Sequence, residues 1–348
     1  MPSYANFDET LESMAAVGPD LNNGMSNHAP MAIEAMCAMD RGDAVTRWLD
    51  KYRSALAPRP PQSARMTHQD WQAALGDFRR TTDWFEFFRN ELEERPWREV
   101  LGTWVARLAP GIAASATHGV IRTGHGVRAI ALADTPARRR ELADGLASWA
   151  ATFQLLPTNL SPDPAAVRPH QAILKVAVVP PEERRFTGTI TASLERLDEF
   201  PPFAPVIGFA DLSGDASATI SELTDTFARV YLANAHDALS TIVFIHGVTS
   251  AAALRSLLPH LRAETARDAM RYAWQAGCAL YAAFGHRPVP AHEIEPLRES
   301  RETLVDMAIA NADEHAIKFT EACLREYALS PSPTYLAAAR HALDVLKS

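Results

Sequence analysis

Four histidines stand out by their surroundings. They are His28 in Ser26-Asn27-His28-Ala29-Pro30, His118 in Thr117-His118-Gly119-Val120, His246 in Phe244-Ile245-His246-Gly247 and His315 in Asp313-Glu314-His315-Ala316. All four have apolar or small-residue surroundings and are scattered across the chain. Helix bundles build metal sites this way, from side chains that project inward from different helices. Imidazole suits iron, copper, zinc and nickel. Lys318 follows His315 by three residues. On a helical wheel Asn311, His315 and Lys318 fall along one margin of an apolar face, within a wedge of roughly 60°. A buried ammonium is costly unless it is paired, neutral or chemically modified. Ordinary roles compete with this reading: Lys318 snorkelling outward, His315 and His246 hydrogen-bonded in the core, His28 capping a helix. No sequence-local metal signature such as HExxH is present, so spacing alone does not choose.

The elements that must position these residues are helical. Ser26 or Asn27 reads as the cap of a helix that carries His28 in its first turn and stops near Asp40-Arg41-Gly42-Asp43. A second helix, about 44–56, ends in Pro58, Pro60 and Pro61. Residues 67–108 are helical and dense in aromatics from Trp71 to Trp104, which either pack the core or line a pocket for a flat apolar ligand. His118 and His125, seven residues apart, share a helix face, and Gly119, Gly124 and Gly126 beside them suggest close packing against another helix or a ligand. Residues 138–156 form an amphipathic helix. The stretches 170–179 and 187–197 fit strand or helix, and Phe200 to Pro205 is a turn-rich connector. Residues 220–261 are expected to form one long buried helix with a break near Gly247, followed by helices over 264–284, through His315 to Cys323, and over 334–346. Pro290 and Pro296 fence a loop before His315's helix. The expected fold is all-α: one large, bundle-like helical domain over residues 1–348, with the metal site between helices and a subdivision near 157–215 left open.

Composition bounds the rest. The chain has 348 residues, 47% hydrophobic and 22% charged, which describes a globular protein. Its net charge of −8 argues against a general binder of nucleic acid or anionic membrane. Cys37, Cys278 and Cys323 form no CxxC pair, fitting a reducing compartment. Acidic residues stand where a signal peptide needs basic ones, and no window reaches the eighteen or so uncharged apolar residues of a spanning helix, so a cytoplasmic protein without membrane partners is expected. GxGxxG after a strand, the Walker A loop and GxSxG are all absent.

The blocks Ser26–Met31, Thr117–His125, Phe244–Thr249 and Asp313–Phe319, in that order, resemble the four signature blocks of the questin oxidase-like family. That family includes fungal enzymes that open rings of anthraquinones and related aromatic polyketides, by Baeyer-Villiger-type insertion or dioxygenase-type cleavage. The resemblance implies a mononuclear non-haem Fe(II) held by histidines, O2 as co-substrate, and a lysine that becomes an oxygen ligand once carboxylated. Mapped here, the metal candidates are His28, His118, His246, His315 and Lys318. His125 falls to a proton-shuttling or substrate-contact role, and NADPH stays open as a reductant. A carbamate offers the carboxylate-like oxygens that an ammonium lacks. The partner implied is a small aromatic molecule; the oligomeric state is undetermined. Two rival readings remain at this point, a zinc-dependent hydrolase and a helical binding protein with structural histidines.

Overall fold

The computed structural model describes residues 3–161, 163–184, 186, 188–287, 295 and 297–346; the Pro290–Pro296 loop expected from sequence, with His292, lies outside them except for Glu295. Helices dominate. In chain order they are α1 (Phe7–Ser13), α2 (Ala29–Ala38), α3 (Val45–Tyr52), α4 (Thr81–Glu94), α5 (Trp97–Leu108), α6 (His118–Leu132), α7 (Pro136–Ala151), α8 (Pro169–Ala172), α9 (Ile190–Leu194), α10 (Ala216–Asn234), α11 (Ala238–Leu257), α12 (Ala263–Phe284), α13 (Arg301–Asn311), α14 (Glu314–Leu329) and α15 (Pro333–Val345). A short antiparallel pair, β1 (Val17–Leu21) and β2 (Leu56–Pro58), ties the chain ahead of α2 to the chain after α3. The fold is mainly α, as the hydrophobic periodicity predicts. The ambiguous stretches resolve as the short helices α8 and α9 with 3₁₀ turns.

Two expected long helices are broken, each by a capping aspartate. The apolar stretch 220–261 divides at Ala235–Asp237 and not at Gly247. Asp237 Oδ1 accepts from the Ser240 backbone N–H at 2.8 Å, and Ser240 Oγ accepts from the Asp237 N–H at 3.0 Å, a reciprocal cap that starts a new helix. Gly247 lies mid-helix against the Phe227 ring. The pattern running through His315 likewise breaks at Ala312, whose φ of 65° ends α13, and Asp313 then caps α14. Asn311 therefore leaves the wedge it shares with His315 and Lys318 on an unbroken wheel; its side-chain amide donates to the carbonyls of Leu343 and Leu346.

The packing brings α2, α6, α11 and α14 together around one point, with α6 against α7 and α11, and α14 against α2. Trp84, Trp104 and Phe88 are wholly buried; Trp104 meets both others edge-to-face, Trp84 at 5.6 Å between centroids, while Trp84 and Phe88 stack. Such contacts are core packing, so the aromatic stretch fills the interior between α4 and α5 instead of lining a cavity. The connector after α7 lies along α12: the Gln275 amide donates to the Pro157 carbonyl at 3.0 Å and the Trp274 indole to that of Val206 at 2.9 Å. Among the described residues one helix, Ala238–His260, is long and apolar enough to cross a membrane, although it carries Arg255; 83% of its apolar window is buried within the fold.

Candidate metal centre

Each histidine reaches the site through a backbone feature of its own. His28 directly precedes α2, in a loop held by Asn27, whose Oδ1 accepts from the Ala29 N–H at 2.9 Å and whose amide donates to the Gly18 carbonyl at 3.1 Å. His118 opens α6 after three successive left-handed residues, Ser115, Ala116 and Thr117, with φ of 47°, 53° and 72°. None is glycine, and such conformations persist only where the surroundings enforce them. His315 sits in the first turn of α14, where Asp313 Oδ1 accepts from the N–H groups of His315 and Ala316 at 2.9 Å. His246 comes from the buried interior of α11. Three of the four therefore stand at helix N-termini, where partial positive charge favours neutral imidazole and an anionic neighbour.

The structure brings all four together. Ring centroids lie 4.6 Å apart for His28 and His118, 4.4 Å for His28 and His315, 4.6 Å for His118 and His246, and 5.8 Å for His246 and His315. One nitrogen from each of His28, His118 and His315 lies within 4.8 Å of the others. The tautomers sharpen the picture. Nδ1–H of His118 donates to the Ser115 carbonyl, and Nδ1–H of His246 donates to the Ile242 carbonyl at 2.6 Å. A carbonyl only accepts, so in each neutral ring the proton is on Nδ1 and Nε2 carries a lone pair. These two Nε2 atoms face each other at 3.2 Å. Two lone pairs at that distance repel unless a cation lies between them. With metal–nitrogen bonds of 2.0–2.1 Å, adjacent nitrogen ligands of one ion lie roughly 3.0–3.4 Å apart.

The electrostatics keep the rings neutral. Burial first, then neighbouring positive charge, pushes His28, His118 and His315 well below the usual histidine range and His246 to about 3. His28 Nδ1 is buried with no hydrogen-bond partner; its nearest carboxylate, Glu314 Oε1, is 3.7 Å away and is also 3.8 Å from His315 Nδ1. Lys318, 3% exposed, lies one turn beyond His315, and burial lowers its amine to about 8 against the pull of Glu314 and Asp313. The donor set suits a borderline transition metal: neutral imidazole nitrogens, an orphaned ring nitrogen and a carboxylate at the edge.

The family model for questin oxidase-like proteins matches residues 25–173 and 209–323. These segments contain all four histidines of the cluster, Lys318 and Glu314. The chain belongs to the questin oxidase-like family. Membership implies an oxidoreductase of the oxygenase class. No curated protein matches the chain.

In this questin oxidase-like chain His125 stands apart from the four-histidine cluster. Its Nδ1–H donates to Glu34 Oε2 at 2.6 Å, and Glu34 also accepts from Arg128 and from the Tyr4 hydroxyl. With Nδ1 so committed, Nε2 is the basic nitrogen. His125 and Lys318 both line one narrow cleft between α6, α11 and α14. Sequence reasoning assigned no role to Glu34, Ser115, Asp313, Glu314 or Tyr52, whose hydroxyl accepts from the His28 N–H at 3.4 Å. Asp313-Glu314 before His315 carries a helix-start signal that could have flagged those two. Glu34 and His125 are 91 residues apart, and nothing local links them.

Proposed function

We propose that this chain is a non-haem iron-dependent oxygenase acting on a hydroxylated aromatic or quinone polyketide-type substrate. His28, His118, His246 and His315 would hold Fe(II), and carboxylated Lys318 would add an oxygen donor. The observation that carries this reading is the facing pair of Nε2 lone pairs, His118 to His246 at 3.2 Å, with both Nδ1 atoms already committed as donors. A carbamate on Lys318 supplies the anion that three helix N-termini favour. When bound, iron would supply electron density to dioxygen, which an unassisted side chain cannot do.

The chain's own residues do the rest. Carbonyls of Ser115 and Ile242 fix two rings in one tautomer and orientation, as partners of metal-binding histidines do. Glu34 fixes His125 so that its Nε2 can accept a proton from a substrate hydroxyl beside Lys318 and release it later. Burial of all five candidate ligands excludes bulk water. Dioxygenase-type cleavage places both oxygen atoms in the product. Baeyer-Villiger-type insertion places one there, and the other leaves as water at the expense of two electrons, which NADPH would provide.

Metal analysis of protein reconstituted anaerobically with Fe(II), alongside His315→Ala and Lys318→Ala, tests the reading. The expected result is about one iron per chain, lost in both variants, with Lys318→Ala partly restored by acetate as a stand-in for the carbamate. Oxygen uptake with hydroxyanthraquinones, and NADPH consumed per O2, then separates the two reactions. Stoichiometric zinc in place of iron would favour a hydrolase, and no bound metal would overturn the centre.

A further inference from the structure

A cleft of about 780 Å³ lies outside the histidine cluster. Tyr4, the end of α2, the end of α6, the start of α13 and the middle of α14 line it. Its volume falls in the range of small-molecule sites. Ala38, Met39, Leu132, Val305 and Leu324 make its walls largely apolar. Four guanidiniums, Arg41, Arg128, Arg301 and Arg325, line it with two carboxylates, Glu302 and Glu321, while Asp306 pairs with Arg41 and Glu34 with Arg128 from outside the lining.

The floor of this cleft is the roof of another. Arg128, Glu321 and Arg325 also line the narrow cleft that holds His125 and Lys318, so one ion-paired layer separates the open cleft from Lys318. Within that layer Glu321 Oε1 accepts from both Arg128 and Arg325, the latter at 3.1 Å, while its Oε2 is buried with no partner. A carboxylate that leaves one oxygen unsatisfied in a buried position is a poor permanent occupant of its site. A ligand anion could satisfy the same guanidiniums and release it.

We infer that this cleft binds an apolar ring compound carrying one anionic oxygen group. Arg325 and Arg128 are its anchors, and Glu321 is the internal anion it displaces on the way to Lys318. The use made of the ligand rests on the proposed oxygenase centre; the binding does not.

The test uses metal-free protein and two fluorescent probes of the same shape, 8-anilinonaphthalene-1-sulfonate and its uncharged parent N-phenyl-1-naphthylamine. The sulfonate is expected to bind once per chain and about tenfold more tightly than the parent. Arg325→Met and Met39→Trp each weaken it by about tenfold, whereas Glu321→Gln, which removes the competing anion, strengthens it. Equal affinity for the two probes, indifference to Arg325→Met and Met39→Trp, or weaker binding in a folded Glu321→Gln protein would each overturn the inference. Near-UV circular dichroism reports folding; if Glu321→Gln does not fold, the partly exposed Arg325 and Met39 decide alone. Because no metal enters the titration, failure of the iron centre leaves this result standing, and failure here leaves the iron centre standing.

Discussion

Ala116 is an alanine held where glycine would cost least. With Ser115 and Thr117 it forms a left-handed run, and each such residue costs roughly 1–2 kcal/mol. The return is positional: the Ser115 carbonyl meets His118 Nδ1 while its hydroxyl meets that of Ser26 at 3.1 Å, coupling the loops of His28 and His118. Ala116→Gly should raise stability by up to about 1 kcal/mol in urea unfolding, the left-handed relief outweighing the extra freedom of the unfolded chain. Asp20 carries a second residue-scale prediction. Burial raises its pKa from 3.8 to about 6 despite the pull of Arg122. The folded state therefore binds this proton more tightly than the unfolded chain. The resulting penalty is absent below pH 3.8, grows as pH rises to about 6 and is complete above it. Asp20→Asn should leave stability unchanged at pH 4 and raise it by about 1 kcal/mol at pH 8, a figure reduced for the side chain's partial exposure. An equal shift at both pH values would show that another group governs the window.

Helix α6 is wedged between α7 and α11. A Cβ at Gly119 would lie 2.5 Å from the Trp149 Cα, and one at Gly124 would lie 2.8 Å from the Ala253 Cβ, whereas Gly126 has 3.4 Å to the Leu142 Cα. Gly119→Ala and Gly124→Ala should therefore each destabilise by about 1–3 kcal/mol through overpacking. Gly126→Ala should cost little, or gain up to about 1 kcal/mol from helix propensity. Chemical denaturation of the three variants checks the order. Asp313→Ala, which uncaps α14 beneath His315, should cost about 1–2 kcal/mol and lower metal retention together; normal retention would show that the cap does not position the ring. Close packing at Gly119 and Gly124 was legible in the sequence, because helix-breaking residues in an apolar helix need a reason; Gly126 carries the same signal without the close contact. The breaks at Asp237 and Asp313 were not read, because hydrophobic periodicity runs through both and outweighed the single capping residue that decides each.

The whole molecule draws a large core from Met31 to Leu346 and a second cluster from Phe7 to Ile317 around α1, α2 and α3, and its mainly helical class was legible from periodicity alone. The site was legible only as a set of odd residues. Type and surroundings singled out His28, His118, His246, His315 and Lys318, but no local spacing sets the distances among four helices. The same limit hid Glu34 beside His125 and the ion-paired layer beside Lys318. The aromatics between Trp71 and Trp104 left core and pocket both open, since density of rings does not distinguish a filled core from an empty pocket; the structure has them as core. Phe88→Ala, opening a cavity among Trp84, Phe87 and Trp104, should cost about 3–5 kcal/mol while leaving any bound metal per folded chain at the level of the unsubstituted protein.

α11 is membrane-like in composition, yet it supplies the interior wall on which His246 stands. On the ribosome it emerges directly after α10, and only Ala235–Asp237 separate the two. Their antiparallel pairing is a short-range event in sequence, so α10 can sheathe α11 before the rest of the chain exists. A circular permutant whose new ends fall between them would be synthesised with α11 bare. Such a chain should engage chaperones or aggregate during synthesis even if its finished form were equally stable.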